Sequence, residues 1–189
     1  MRDLEDVIKD ACSIFSSLHI TYVIVGGVAV NFLGRPRSTF DVDAITSIRA
    51  ADAVRLAKAF RTKGFEVSEK DIEDALREKA HFTIHDSRSG YRIDCKGVYT
   101  KREMRALTER RRLRVGDRFI FVDSAEDLIA MKLFYGSDQD ILDAESVYAR
   151  QKPNLNTRKI STGAKALGVS EEWTALRKRV DGLMAGRKR

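Results

Sequence analysis

Apolar residues fall at Leu4, Val7, Ile8, Cys12, Phe15 and Leu18. This is the three-and-four spacing of one helical face, so an amphipathic helix is expected to open the chain. Residues 21–25, "TYVIV", are rich in β-formers and show no polar alternation, which predicts a buried strand. Gly26-Gly27 ends that strand, and residues 28–34 read as a short helix stopped at Gly34. After a basic turn, residues 40–45 alternate. Phe40, Val42 and Ala44 point one way, and Asp41, Asp43 and Ile45 the other, as in a strand covered on one side with carboxylates on its open face.

The remaining pattern is more regular. A helix is expected from about Ala50 to Lys63, closing at Gly64, followed by a short strand at 65–67 and a helix or mobile charged segment at 70–79. Residues 80–86 and 91–99 alternate on either side of the turn "SRSG" and predict a hairpin. A charged helix at 101–111 leads into β-like pieces at 112–115 and 118–122, joined by Gly116-Asp117. From Ser124 onward every segment has a helical pattern: 124–135 behind a Ser/Asp capping box, 138–150, 156–167 and 170–184, with Pro153, Asn154 and Asn156 marking the clearest linker. The expected fold class is mixed α+β. A small mixed sheet with flanking helices fills 1–123, and a C-terminal helical region at 124–189 packs on it, its last residues, Arg187-Lys188-Arg189, forming a frayed tail.

With 189 residues and 43% hydrophobic content the chain can bury a core, which excludes a disordered protein. No stretch approaches the roughly 20 apolar residues that span a bilayer, and the charged start "MRDLEDVIKD" is no signal peptide, so a cytoplasmic protein with no membrane partner is expected. Cys12 and Cys95 are the only cysteines and complete neither a zinc nor a disulfide framework; they read as reduced, buried thiols. The formal charge of +7 favours polyanionic partners such as nucleotides or RNA.

Chemistry concentrates around the alternating strand. Asp41 and Asp43, two residues apart, project to one face with Cα atoms roughly 6–7 Å apart, so their carboxylates can converge on the same metal ions. Magnesium favours one or two carboxylates together with water and substrate phosphates. Asp94, on a strand that places Arg92, Asp94 and Lys96 on one face, is the candidate third carboxylate of a two-metal arrangement. A strand ending in Gly26-Gly27 and running into a helix offers backbone N–H groups to phosphate, with Arg35 and Arg37 placed to meet phosphate oxygens or to pair with the aspartates.

These residues resemble a known family. "GG", a short helix, "GRPRST", "DVD" and a later aspartate in "RIDCKG" look like the nucleotidyltransferase superfamily with the polymerase β-like fold. The pattern is similar, more narrowly, to its small prokaryotic branch of AbiEii-type toxins and minimal nucleotidyltransferases. The segment "SAEDLIAMKLFYGSDQDILDAESV" resembles that branch's helical segment, with Glu126 to Ile129, Lys132, Asp140 and Asp143 as its marked positions. The resemblance, over about 20–150, implies that Gly26 and Gly27 form the nucleotide-phosphate turn. It implies that Asp41, Asp43 and Asp94 are catalytic and hold two Mg2+ ions, with Mn2+ able to replace them. Arg37 and Thr39 match an Arg-x-Thr before the aspartates, and Lys132 matches a triphosphate contact; a salt bridge from Lys132 to Asp140 or Asp143 stands as an equal alternative. Two positions depart from the pattern: Gly27 stands where the commoner motif has serine, and Ser137 and Asp138 stand where an arginine is expected.

The implied activity is transfer of a nucleoside monophosphate from a nucleoside triphosphate to a hydroxyl of a protein, tRNA or small molecule, with release of pyrophosphate. A role as toxin or antitoxin enzyme of a toxin–antitoxin pair follows from the same analogy. The alternative is a catalytically weak nucleotide-binding or partner-binding module of the same fold, pairing with a helical partner protein. His81 and His85 are four apart on a strand, roughly 13 Å, too far to share one zinc ion, and read as exposed strand residues. Trp173, Leu176, Val180 and Leu183 read as the packing stripe of a helix. The basic residues Arg177, Lys178, Arg179, Arg187, Lys188 and Arg189 read as a solvated face, with RNA binding as the minority reading.

Overall fold

In the computed structural model, which describes residues 2–186, strands β1 (Tyr22–Ile24), β2 (Asp41–Thr46), β3 (Phe65–Glu66), β4 (His81–Asp86), β5 (Arg92–Lys96), β6 (Arg111–Val115) and β7 (Arg118–Val122) form one sheet. Their order is β3-β4-β5-β2-β1-β7-β6. β2 runs parallel to β5 and β1 parallel to β7, while the remaining neighbours are antiparallel, so the sheet is mixed as expected. Parallel neighbours need a long crossover. Between β2 and β5 the chain supplies helices and the β3–β4 edge.

Helices α1 (Leu4–Ser17), α2 (Gly26–Leu33), α3 (Ala53–Thr62), α4 (Glu69–Glu78) and α5 (Lys101–Thr108) alternate with these strands. α1 starts at a reciprocal Asp3/Asp6 capping box and buries Val7, Ile8, Ala11, Cys12, Ile14 and Phe15. Phe15 packs on Tyr22 of β1 and on Phe60 of α3, and Phe60 packs edge-on against Phe65 of β3, so one aromatic chain ties helices to strands. On the other face Ala106 and Leu107 of α5 cover Val23 and Ile45. Residues 69–78 are helical, capped by Ser68, whose hydroxyl accepts from the Asp71 N–H. The helix expected from Ala50 begins instead with a 3-10 turn at Ala50–Asp52. There the Asp52 carboxylate accepts from the Arg49 N–H and the Arg55 guanidinium.

The chain divides into two units. One holds residues up to Val28 together with Ser38–Asp123, and the other holds Ala29–Arg37 together with the residues from Ser124 onward. In the second, α6 (Ala125–Tyr135), α7 (Asp138–Gln151), α8 (Thr157–Leu167) and α9 (Ser170–Gly186) follow one another, with α6 packed by α7 and α8. Every residue of α6 from Ala125 to Leu133 is buried. Its polar members are therefore paired. Glu126 accepts from the Asn156 N–H, and Asp127 takes the Ser124 hydroxyl and the Lys159 ammonium. Trp173, Leu176 and Val180 of the α9 stripe are buried, with Trp173 edge-on to Tyr148, while Leu183 is exposed. Both cysteines are free and buried. The tail expected at 187–189 lies outside the described residues.

Candidate active site

The carboxylate face forms where β2 lies parallel to β5, with Asp43 opposite Asp94 and Asp41 opposite Arg92. Val42 and Ala44 are buried on the reverse side and Asp41 and Asp43 are half-buried, which is the pleat alternation that β2 shows in its sequence. Register therefore brings Asp43 and Asp94 side by side. Sequence alone could place each acid on a face of its own strand, but not set the two strands beside each other.

Gly26 borders the same carboxylates. The expected short helix starts two residues early, at Gly26 itself, so the glycines open α2 instead of only ending β1. Gly26 has φ +63, and a Cβ there would overlap Asp43 Oδ2 and stand 3.0 Å from its Cγ. Both the backbone conformation and the space require glycine. The first N–H groups of a helix have no intrahelical partner and carry its positive end, so α2 presents an anion-binding terminus beside Asp43. Gly27, the next residue, adds no side chain to that terminus.

Hydroxyls and one guanidinium orient the acids. Thr39 Oγ1 donates to Asp41 Oδ1 at 2.8 Å, and Thr83 Oγ1 on β4 donates to Asp94 Oδ1 at 2.6 Å. Arg92 spans the pair, its Nε donating to Asp94 Oδ2 at 3.1 Å and its Nη2 to Asp41 Oδ2 at 3.2 Å. The hydrogen bond to Asp94, followed by the charges of Asp94 and Asp41, raises the Arg92 pKa further above its ordinary value. Arg92 is thus a fixed cation on two of the three candidate ligands. Thr83 and this role of Arg92 escaped the sequence reading, because both arise across strand pairs. The one available signal was that Arg92 shares parity with Asp94.

Among the described residues no three His, Cys, Asp or Glu side chains stand close enough together to hold a metal ion by themselves. The donors are nonetheless hard oxygens on one half-open face. Such a set suits Mg2+, which takes one or two carboxylates and fills its other positions with water and substrate phosphate.

Arg37 and Lys132, also candidate nucleotide contacts, lie in the second unit. The Asn31 side chain brackets the turn, accepting from the Arg37 N–H and donating to its carbonyl. The Arg37 guanidinium then grips Asp143 with two parallel bonds of 2.9 Å. Lys132 Nζ lies 2.7 Å from Asp140 and 2.9 Å from Asp143. Burial draws the Lys132 pKa down, but its hydrogen bonds to Asp140 and Asp143 outweigh that and leave it raised. Burial pushes both carboxyls up, yet the hydrogen bonds from Arg37 and Lys132 to Asp143, and from Lys132 and Ser137 to Asp140, hold both below the usual range. Arg35 is exposed, and its N–H donates to the Ser146 hydroxyl. His81 and His85 are exposed on β4 on either side of Thr83.

A mixed sheet carrying paired carboxylates on neighbouring parallel strands, beside a helix that opens on glycine, is the nucleotidyltransferase fold of the polymerase β-like kind. Two solved structures share it over nearly their whole length. ANT(2'')-Ia, an antibiotic-resistance factor whose structure was determined in solution, superimposes with TM-score 0.58 at 15% identity, over 93% of this chain and 95% of that one. An antigenic nucleotidyltransferase-like protein from Paracoccidioides brasiliensis superimposes with TM-score 0.61 at 17% identity, over 93% and 92%. No curated protein matches the chain. The chain belongs to the family described as nucleotidyltransferase of unknown function, DUF6036, which matches residues 2–176, and it is a nucleotidyltransferase enzyme. Among the described residues no helix is long and apolar enough to cross a membrane.

Proposed function

We propose that the protein transfers a nucleoside monophosphate from a magnesium-bound nucleoside triphosphate to a hydroxyl acceptor on the face formed by Asp41, Asp43 and Asp94. The observation that carries this reading is the register of Asp43 against Asp94, with Gly26 opening a helix against the Asp43 carboxylate. In the reaction the acceptor oxygen bonds to the α-phosphorus, the bond from that phosphorus to the oxygen bridging to the β-phosphate breaks, and pyrophosphate leaves. The acceptor's proton passes to Asp94 or to water.

Asp41, Asp43 and Asp94 would hold the Mg2+, or Mn2+ in its place. When bound, the metal supplies neutralisation of triphosphate charge and lowers the acceptor hydroxyl's pKa. Thr39 and Thr83 hold Asp41 and Asp94 in fixed rotamers through their hydroxyls. The N-terminus of α2 at Gly26 and Gly27 cradles phosphate oxygens. Arg92 keeps Asp41 and Asp94 together until the nucleotide arrives. Positioning and charge stabilisation supply most of the rate, as is general for phosphoryl transfer.

The acceptor is a protein, a tRNA or a small molecule. The resemblance to AbiEii-type enzymes supports a place in a toxin–antitoxin pair, with a helical protein as partner. The test is transfer of label from each α-phosphate-labelled nucleoside triphosphate, with Mg2+, into a cell lysate separated into protein, RNA and small-molecule fractions. Label that enters one fraction with the wild type and not with Asp41→Asn/Asp43→Asn supports the reading and names the acceptor class. Equal labelling by both proteins overturns it.

A further inference from the structure

The edge of the sheet carries a feature that transfer chemistry does not use. β6 is the last strand in the order, and Arg111, Arg112, Arg114 and Arg118 on the β6–β7 hairpin are all exposed. Among the described residues none of the four pairs with an acid; the hairpin's own bond is from Arg114 Nε to the Gly116 carbonyl at 3.0 Å. Two aromatic rings stand among these cations. The Arg112 guanidinium lies 3.6 Å above the centre of the Phe119 ring, and the Arg110 guanidinium lies 4.5 Å above the Phe121 ring. Phe119 is 50% exposed.

Pairing fixes the face these side chains occupy. Ile24 lies opposite Val122 across β1–β7, Val23 opposite Ile45 across β1–β2, Arg112 opposite Phe121 and Arg114 opposite Phe119. By the alternation of the pleat, Arg112, Arg114 and Phe119 share a face with Val23 and Ile45, and so with Asp41 and Asp43, while the Phe121 ring also meets Tyr22 edge-on, 5.7 Å between centres. α5 covers the middle of that face. Charge alone at an edge strand discourages edge-to-edge pairing and needs no ligand. The Arg112 guanidinium stacked on the half-exposed Phe119 ring adds a flat surface that edge protection does not need.

We propose that the β6–β7 hairpin docks single-stranded nucleic acid, with Arg112 and Arg114 meeting phosphates and the Arg112–Phe119 stack receiving a base. Backbone charge and base stacking on aromatic and arginine planes are the two components of binding to a single strand without sequence preference. A lipid surface would call for a larger apolar face than one half-exposed phenyl ring. The proposal goes beyond the transfer reaction and does not depend on it.

The test is fluorescence anisotropy of short mixed-sequence oligonucleotides, RNA in one arm and DNA in the other, titrated with the full chain at several salt concentrations. The wild type binds, with affinity that falls as salt rises. Arg112→Gln/Arg114→Gln lowers the slope of log affinity against log salt by about 1.4, at roughly 0.7 per phosphate contact on a single strand. Phe119→Ala weakens binding about fivefold or more at every salt concentration. Thermal melts of the variants that match the wild type show that folding is intact. Asp41→Asn/Asp43→Asn binds as the wild type does, so failure of transfer and failure of docking are read separately. The proposal is overturned if the wild type binds neither oligonucleotide, if the hairpin variants bind unchanged, if Arg177→Gln/Lys178→Gln on α9 removes the binding instead, or if anionic vesicles bind where oligonucleotides do not.

Discussion

Two clusters of acids and bases, one in each unit, differ in how far each neutralises itself. On β2 and β5 the carboxylates of Asp41 and Asp94 share one guanidinium, and the three side chains are 35%, 19% and 48% exposed for Asp41, Asp94 and Arg92. In the second unit Asp140 and Asp143 meet two cations, Lys132 and Arg37, with the Asp143 side chain 3% and the Lys132 side chain 8% exposed. A buried charge persists only if it is paired and hydrogen-bonded, and the second cluster meets that requirement from its own residues. The first shares one guanidinium between Asp41 and Asp94 in a half-open place. Ion pairs so exposed are screened by solvent, and the proposed cation would compete with Arg92 for the two carboxylates.

The largest effect that follows is on the open cluster. Asp43→Asn keeps the shape of the side chain and removes its charge, and transfer is expected to fall on the order of 10³-fold, with the unfolding midpoint little changed; labelled-nucleotide turnover and urea unfolding measure the two. In the closed cluster the balance reverses. Lys132→Met leaves the buried Asp143 and the half-buried Asp140 short of a cation and is expected to lower stability by about 3 kcal/mol. Unchanged stability combined with a raised KM for the nucleotide would instead make Lys132 a nucleotide contact of the working enzyme.

Gly26→Ala tests how far the open cluster depends on its shape. The added methyl group has no room beside Asp43, and the backbone has φ +63, so Asp43 must move. A displacement of about 1 Å at a reacting centre costs on the order of 10²-fold in rate, which single-turnover kinetics would show. Arg92→Gln has a smaller expected effect of opposite sign. Loss of the bridging guanidinium frees Asp41 and Asp94, and Mn2+ affinity, read by calorimetry in the presence of nucleotide, rises roughly two- to fivefold. A fall in affinity would mean that Arg92 organises the carboxylates more than it competes for them.

The two clusters were not equally legible in the sequence. Alternation along residues 40–45 was enough to put Asp41 and Asp43 on one face, because a strand's pleat is local. The length of the chain from β2 to β5 hid the register that sets Asp94 beside Asp43, and with it the reach of Arg92 and of Thr83. The positive φ of Gly26 was invisible for a related reason. It depends on where the helix starts, and the expected start fell two residues late. At Lys132 the sequence left a salt bridge and a phosphate contact equally open, since both ask for a cation on a helix. Burial of α6 from Ala125 to Leu133, which takes in Lys132, gives that lysine two carboxylate partners, and burial on every face of a helix is not marked by an apolar stripe in the sequence.

The closed cluster also makes a pH prediction, the smallest in size. Asp140 and Asp143 have folded-state pKa values below the ordinary 3.8, because the hydrogen bonds from Lys132 and Arg37 outweigh burial. A depressed carboxylate contributes stability that is fully present above its unfolded pKa and is lost as pH falls through the folded one. Lys132, raised above 10.5, contributes stability that is present below that value and lost only as pH rises through its folded pKa. From neutral pH down to about 4 this cluster therefore keeps its full contribution, and the loss lies below that range. Trp173, the chain's one tryptophan, is buried in the same unit and reports on it by fluorescence. Urea midpoints followed through Trp173 should hold level on this account down to about pH 4 and fall below it, and Lys132→Met, which lifts both folded-state carboxyl values toward the unfolded one, should make that fall smaller. A fall of unchanged size in Lys132→Met would show that the acid sensitivity of this unit arises outside the Lys132–Asp140–Asp143 cluster.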